Sequence, residues 1–184
     1  AGKRKALRKE FEIPDNSFVI GYIGRFHPMK NIELLFEVME RVLSENTNLI
    51  FLIVGKNTDR KNLKLKPFYD RLPPQQIVSL GVRADIPAVI QCIDLLCLTS
   101  SWGEGFPNVI GEAMATGIPC VATDIGDSAL VIGETGWIIP PNNIELLANC
   151  INVALSETTF AHNSRSVASR KVISENYDIA YIVD

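Results

Sequence analysis

At 184 residues the chain has the length of one ordinary domain, enough to bury a substantial core. Hydrophobic residues make up 47% and charged residues 21%, the balance of a soluble globular chain. A net charge of −3 gives no support to nucleic-acid binding, no apolar run reaches the roughly 18 residues of a membrane span, and no signal peptide is visible, so the expected location is cytoplasmic.

The chain opens on a helical pattern over Ala1–Pro14, read as a linker helix with no strand before it. Its cations Lys3, Arg4, Lys5, Arg8 and Lys9 are expected to form a solvated face; a patch for anionic lipid, and with it peripheral membrane association, is the sharper alternative. Short apolar runs then alternate with helical patterns. The expected strands are Phe18–Ile23, Leu49–Val54, Ile77–Leu80, Leu95–Leu98, Pro119–Ala122 and Trp137–Ile139. Helices are expected at Asn31–Ser44, Ile86–Cys92, Pro107–Thr116 and Ile144–Leu155, with more from about Ser156 to Ser174. The charged, proline-containing stretch Lys56–Pro74 reads as a helix of uncertain limits plus loop. Glu175–Asp184 reads as the opening of another helix, cut short, so the single domain is expected to be part of something longer. The order implies an α/β fold: a Rossmann-like, doubly wound parallel sheet of about six strands with helices on both faces.

In such a sheet ligands bind beyond the carboxyl ends of the strands. The first strand runs into Gly24-Arg25-Phe26-His27-Pro28-Met29-Lys30-Asn31, where a glycine permits a sharp turn and two cations stand near the next helix. Arginine can grip a phosphate with its planar fork, and lysine acts as a mobile point charge. A surface turn with solvated cations is the bland alternative. After the third strand, the backbone of Val82 and Arg83 could meet a nucleobase, while Asp85 could cap the helix at Ile86.

The most informative stretch is Gly103-Glu104-Gly105-Phe106-Pro107-Asn108-Val109-Ile110-Gly111-Glu112. Pro107 suits the first turn of a helix and Gly117 its stop. The free N–H groups after Gly105, at the positive end of the helix dipole, form an anion site. Glu104 in the loop and Glu112 on the helix could hold sugar hydroxyls, an arrangement suited to a nucleotide sugar. Trp102 is read as packing at the loop edge ahead of stacking on a sugar, and Asp124 either as a turn residue or as a partner for a sugar hydroxyl.

Other chemistries lack their patterns. His27 and His162 are the only histidines and form no two-histidine metal spacing. Cys92, Cys97, Cys120 and Cys150 sit in apolar runs, as reduced buried thiols do. No Gly-x-Ser-x-Gly elbow is present, and no Gly-x-Gly-x-x-Gly follows the first strand. A glycosidase pair would leave Arg25 and Lys30 without a role.

Taken together, Gly-Arg…Lys-Asn after the first strand, Glu-Gly-Phe-Pro…Gly-Glu-Ala-Met-Ala over Glu104–Ala115 and Pro-Cys-Val-Ala-Thr-Asp over Pro119–Asp124 resemble the donor-binding half of the retaining GT-B glycosyltransferases of family four. The resemblance extends from about Phe11 to Asp178. It implies that Arg25 and Lys30, at a turn begun by Gly24, hold the diphosphate and stabilise its growing charge. Backbone around Gly105, Phe106, Pro107, Asn108 and Val109 would assist. Glu112 would bind the ribose, Glu104 the donor sugar, and Val82 and Arg83 would lie near the base. The donor would be a UDP-, GDP- or ADP-linked sugar, with no metal and no further cofactor required. An N-terminal acceptor domain would be the missing partner, and the chain alone would bind donor but transfer sugar poorly or not at all. The usual Asp-x-Gly-Gly turn here reads Asp124-Ile125-Gly126-Asp127, which leaves the backbone near Asp127 open. Two alternatives stay in view: a sugar-nucleotide epimerase of the same architecture, and a non-catalytic subunit of a split transferase.

Overall fold

The computed structural model describes residues 2–177. Helix α1 (Gly2–Glu10) precedes β1 (Phe18–Ile23), α2 (Ile32–Val42), β2 (Leu49–Val54), α3 (Lys66–Arg71) and β3 (Ile77–Gly81). The second half runs α4 (Ile86–Ile90), β4 (Leu95–Leu98), α5 (Asn108–Ala115), β5 (Cys120–Thr123), α6 (Ser128–Ile132), β6 (Trp137–Ile139), α7 (Ile144–Ser156) and α8 (Thr159–Asn176). All six strands are parallel, in the order β3-β2-β1-β4-β5-β6. The expected Rossmann-like α/β sheet is the one observed.

The sheet is covered on both faces, so its central strands β1, β2 and β4 carry apolar side chains at every position but Gly21, which packs against Ile93. Alternation along each strand divides them. Ile20, Tyr22, Phe51, Ile53, Leu95 and Cys97 face α2, α3 and α7. Val19, Leu52, Val54, Leu96, Leu98 and Ala122 face α1, α4, α5 and α8. Helix α2 presents Ile32, Leu35, Phe36, Met39 and Val42 along one buried stripe, as its spacing predicts.

Four of the six strands have the expected limits. β5 begins at Cys120 rather than Pro119, because proline has no N–H to give to a ladder; its carbonyl still accepts from Leu96 N–H at 3.0 Å. Helix α6 has no counterpart among the expected elements: at five residues it is too short to show a period. Glu175 and Asn176 form the last turn of α8. The rest of the helix expected at Glu175–Asp184 lies outside the described residues from position 178 onward, as does Ala1 at the start.

The cations of α1 are not all solvated. Arg8 is buried, donating from Nε and Nη2 to Cys92 O at 3.0 and 2.9 Å and from Nη1 to Ser17 O at 2.9 Å. Arg8 and Arg4 both pair with Asp94, at 2.7 and 2.6 Å. Five cations in nine residues read as a water-facing stripe, but the acid that turns two of them inward lies more than eighty positions away.

Candidate functional site

β1 and β4 are neighbours, yet the chain leaves them toward opposite faces, into α2 and into α5. A crevice opens where two such connections part. Its walls are residues 24–31 and 99–107, and hydrogen bonds tie them together. Ser101 N–H donates to Met29 O at 2.8 Å, Thr99 Oγ1 to Lys30 O at 2.9 Å, and Thr123 Oγ1 to Ser100 O at 2.6 Å.

Asn31 is the hinge of the first wall. It adopts φ +44°, a region asparagine tolerates, and its Oδ1 accepts from Leu34 N–H at 3.4 Å to cap α2. Its amide nitrogen donates to Ser101 Oγ and Asn142 Oδ1 at 2.9 and 2.8 Å. His27 Nδ1 accepts from Met29 N–H at 3.2 Å and starts the short 3-10 turn that carries Lys30.

These constraints aim Lys30 across the crevice. Its Nζ donates to Glu104 Oε1 at 2.5 Å, and Ser100 Oγ donates to the same oxygen. The Glu104 side chain is only 8% exposed and that of Lys30 17%. The backbone beside Glu104 is pinned from behind: Gly126, at φ +59°, lies against the Glu104 and Gly105 carbonyls, and Asp127 N–H donates to Gly105 O at 3.1 Å. The Asp124–Asp127 turn therefore buttresses the Glu104 loop. Beneath Gly24 lies the Tyr22 hydroxyl, buried and without a hydrogen-bond partner among the described residues. Burial, with Glu33, Cys97 and Glu104 adding negative charge, pushes its pKa far above the ordinary phenol range.

Among the described residues, no other expected site side chain hydrogen-bonds or ion-pairs with Lys30 or Glu104. Gly24 follows β1 with its N–H on Val54 O at 2.9 Å, and Arg25 beside it is exposed. Gly105, Phe106 and Asn108 are exposed, Val109 is half-buried and Pro107 is buried. Pro107 stands at the cap position rather than inside α5, and no side chain caps that helix. Ile110 N–H donates to Pro107 O at 2.9 Å, while the N–H groups of Asn108 and Val109 before it have no side-chain cap. Glu112 is exposed on α5.

Val82 and Arg83 follow β3, separated from β1 by β2, which sets them about 10 Å to the side. Val82 is exposed, but the Arg83 guanidinium is engaged: Nε and Nη2 donate to Asp85 at 2.8 and 2.7 Å, and it lies 5.1 Å over the Phe11 ring. The Arg83 side chain is thus committed to Asp85 and Phe11. Asp85 consequently does not cap α4. The Arg83 hydrogen bond holds its carboxyl below the ordinary aspartate range.

Trp102 is 54% exposed, so it is not the packed loop-edge residue expected from the sequence. Asp124 is exposed, with its N–H on Ile139 O at 2.8 Å. Sequence reasoning missed Tyr22, Ser100 and Asn142. For Ser100 and Tyr22 no local signal exists, since each matters through a chain crossing. The Pro-Asn-Asn turn at 141–143 was the available sign for Asn142, which sits at φ +58°.

The pattern of the family described as "Glycosyl transferases group 1" matches residues 3–172. The chain belongs to that family. Group 1 relatives of similar sequence include an Escherichia coli protein named UDP-Gal:alpha-D-GlcNAc-diphosphoundecaprenol alpha-1,3-galactosyltransferase, 32% identical over 92% of this chain and 44% of its own length. The Staphylococcus aureus capsular polysaccharide biosynthesis glycosyltransferase CapM is 24% identical over 93% of this chain and 46% of its own. The chain spans about half the length of these curated relatives. Among solved structures, Anabaena HepE in complex with UDP superposes with a TM-score of 0.87 at 27% identity, over 98% of this chain and 50% of HepE. HepE is also known in complex with UDP-glucose, with the same TM-score. This group 1 domain thus corresponds to one half of the GT-B architecture. Its similar relatives are glycosyltransferases by name, and neither the epimerase nor the split-subunit reading is favoured.

Proposed function

We propose that the chain is the donor-binding domain of a retaining, family-four glycosyltransferase. In full length the enzyme would move a hexosyl group from a nucleotide-diphosphate sugar to a glycan or lipid-linked acceptor in bacterial surface polysaccharide synthesis. The observation that carries this reading is the Lys30–Glu104 pair at the β1/β4 crevice, beside the uncapped start of α5. It sets a cation, free N–H groups and a buried carboxylate side by side. Those groups match a diphosphate and a sugar. The names of the relatives and the UDP ligands of HepE support the same reading.

As the glycosidic C–O bond breaks, both bonding electrons pass to the diphosphate oxygen. Lys30, Arg25 and the α5 N–H groups stabilise that growing negative charge without a metal. Glu104 orients the sugar through its hydroxyls, Glu112 takes the ribose, and the Val82–Arg83 backbone meets the base. The acceptor comes from an N-terminal domain, so this chain alone binds donor without transferring sugar. The enzyme works in the cytoplasm, peripheral to the membrane where its acceptor is lipid-linked. Among the described residues no helix is long and apolar enough to cross a membrane.

Calorimetric titration with UDP, GDP and ADP, with and without magnesium, tests the reading. One nucleotide is expected to bind in either condition. Arg25→Ala is expected to weaken it by about 1.5–3 kcal/mol, the scale of a hydrogen bond to a charged group. Absence of binding, or an affinity indifferent to Arg25, would refute the assignment.

A further inference from the structure

The Lys30 ammonium has two claimants. Glu104 already accepts from it at 2.5 Å, within a loop held by Ser100, Gly126 and Asp127. The diphosphate of a bound nucleotide is a second anion for the same cation. Glu104 does not yield cheaply. Its side chain is 8% exposed, and once Lys30 turns away only the Ser100 hydroxyl remains as a donor among its present side-chain partners. A buried carboxylate stripped of its partner is strongly disfavoured.

We propose that Glu104 makes the site specific for a nucleotide that still carries its sugar, by competing with the diphosphate for Lys30. This rests on the donor-site reading given above. A sugar nucleotide takes Lys30 with its diphosphate and compensates Glu104 with hydroxyl donors from the sugar. A bare nucleoside diphosphate takes the cation and offers the carboxylate nothing. After transfer the product is such a diphosphate. Glu104 then reclaims Lys30, which favours release of the spent nucleotide over its retention. The competition gives Glu104 a second role, separate from orienting the sugar.

Titration of this chain and its variants with UDP, GDP and ADP, then with the glucose, galactose and mannose esters of whichever nucleotide binds, separates the possibilities. Glu104→Gln keeps the size and removes the charge. It is expected to bind the bare nucleotide about tenfold more tightly than the wild type, the low end of what a hydrogen bond to a charged group is worth. The ratio between the tightest ester and the nucleotide should fall by at least as much. Lys30→Met should also cost more affinity for the nucleotide in the Glu104→Gln background than in the wild type, because the cation is then undivided. A nucleotide affinity that does not rise in Glu104→Gln, or a Lys30→Met loss equal in both backgrounds, would overturn the competition. Arg25→Ala would still weaken binding in that case, and the donor-site reading would stand. Failure of every nucleotide to bind any form would remove both.

Discussion

Gly126 packs from a separate turn against the backbone beside Glu104. A Cβ placed there would lie 2.4 and 2.5 Å from the carbonyl oxygens of Glu104 and Gly105, and the backbone sits at φ +59°. An alanine must push back the loop that carries Glu104, besides adopting a left-handed conformation. Gly126→Ala is therefore expected to cost about 1–3 kcal/mol of stability and to weaken nucleotide-sugar binding at temperatures where the chain stays folded. Denaturant unfolding and calorimetry check the two halves. A folded variant with unaltered donor affinity would show that the Asp124–Asp127 turn does not position Glu104. In the sequence this turn looks like a departure from Asp-x-Gly-Gly. The structure keeps the glycine where the contact needs it, and Asp127 contributes a backbone N–H that any residue but proline could supply.

At the scale of elements, helix α1 behaves as a fastened strut. Arg8 satisfies the Cys92 and Ser17 carbonyls and the Asp94 carboxylate, while Asp94 also accepts from Val19 N–H at 2.8 Å. One arginine thus joins α1 to the amino ends of β1 and β4. Arg8→Ala leaves Asp94 with Arg4 as its remaining ion-pair partner and removes the arginine donor from three carbonyls, those of Cys92, Asp15 and Ser17. The expected cost is about 3 kcal/mol, read from chemical denaturation. Arg8→Lys should recover only part of it, since an ammonium cannot reproduce the fork. A loss under half a kcal/mol, as for a surface pair, would mean that α1 is merely laid on the domain. The sequence shows α1 as a basic helix but not which of its cations turn inward. Lys3, Lys5 and Lys9 remain exposed, whereas Arg4 and Arg8 follow an acid from the middle of the chain.

At the scale of the whole molecule, the cysteines report how cooperatively the two halves of the sheet hold together. Cys97 on β4 and Cys120 on β5 are buried at 1% exposure each, and burial pushes both thiols well above the ordinary range. A raised thiol pKa means less thiolate at any given pH, and the thiolate is the reactive form. At pH 8 both are expected to react with a disulfide reagent only at the rate of global unfolding. Cys150, half-buried on α7 and also raised by burial, should be modified first. Mass-spectrometric mapping of the labelled sites over time decides this. Early labelling of Cys120 would place a sub-global opening between β4 and the β5–β6 side of the sheet.

Much was determined by the sequence itself. The alternation of apolar runs and helical stripes specifies a doubly wound parallel sheet, because a strand covered on both faces must be apolar throughout and its helices on one side only. The glycine, proline and carboxylate spacing between Glu104 and Gly117 marks one wall of the crevice, since turn chemistry and helix starts are local. What the tertiary structure alone decided is which charges meet. Lys30 reaches Glu104, Arg8 reaches Asp94, and Arg83 turns to Asp85 and Phe11 rather than outward. Lys30 and Arg8 reach acids 74 and 86 positions away, and Arg83, though beside Asp85, lies over a ring 72 positions distant. No local periodicity encodes such meetings. They exist only once strand order has brought β1 beside β4 and folded the two connections against each other.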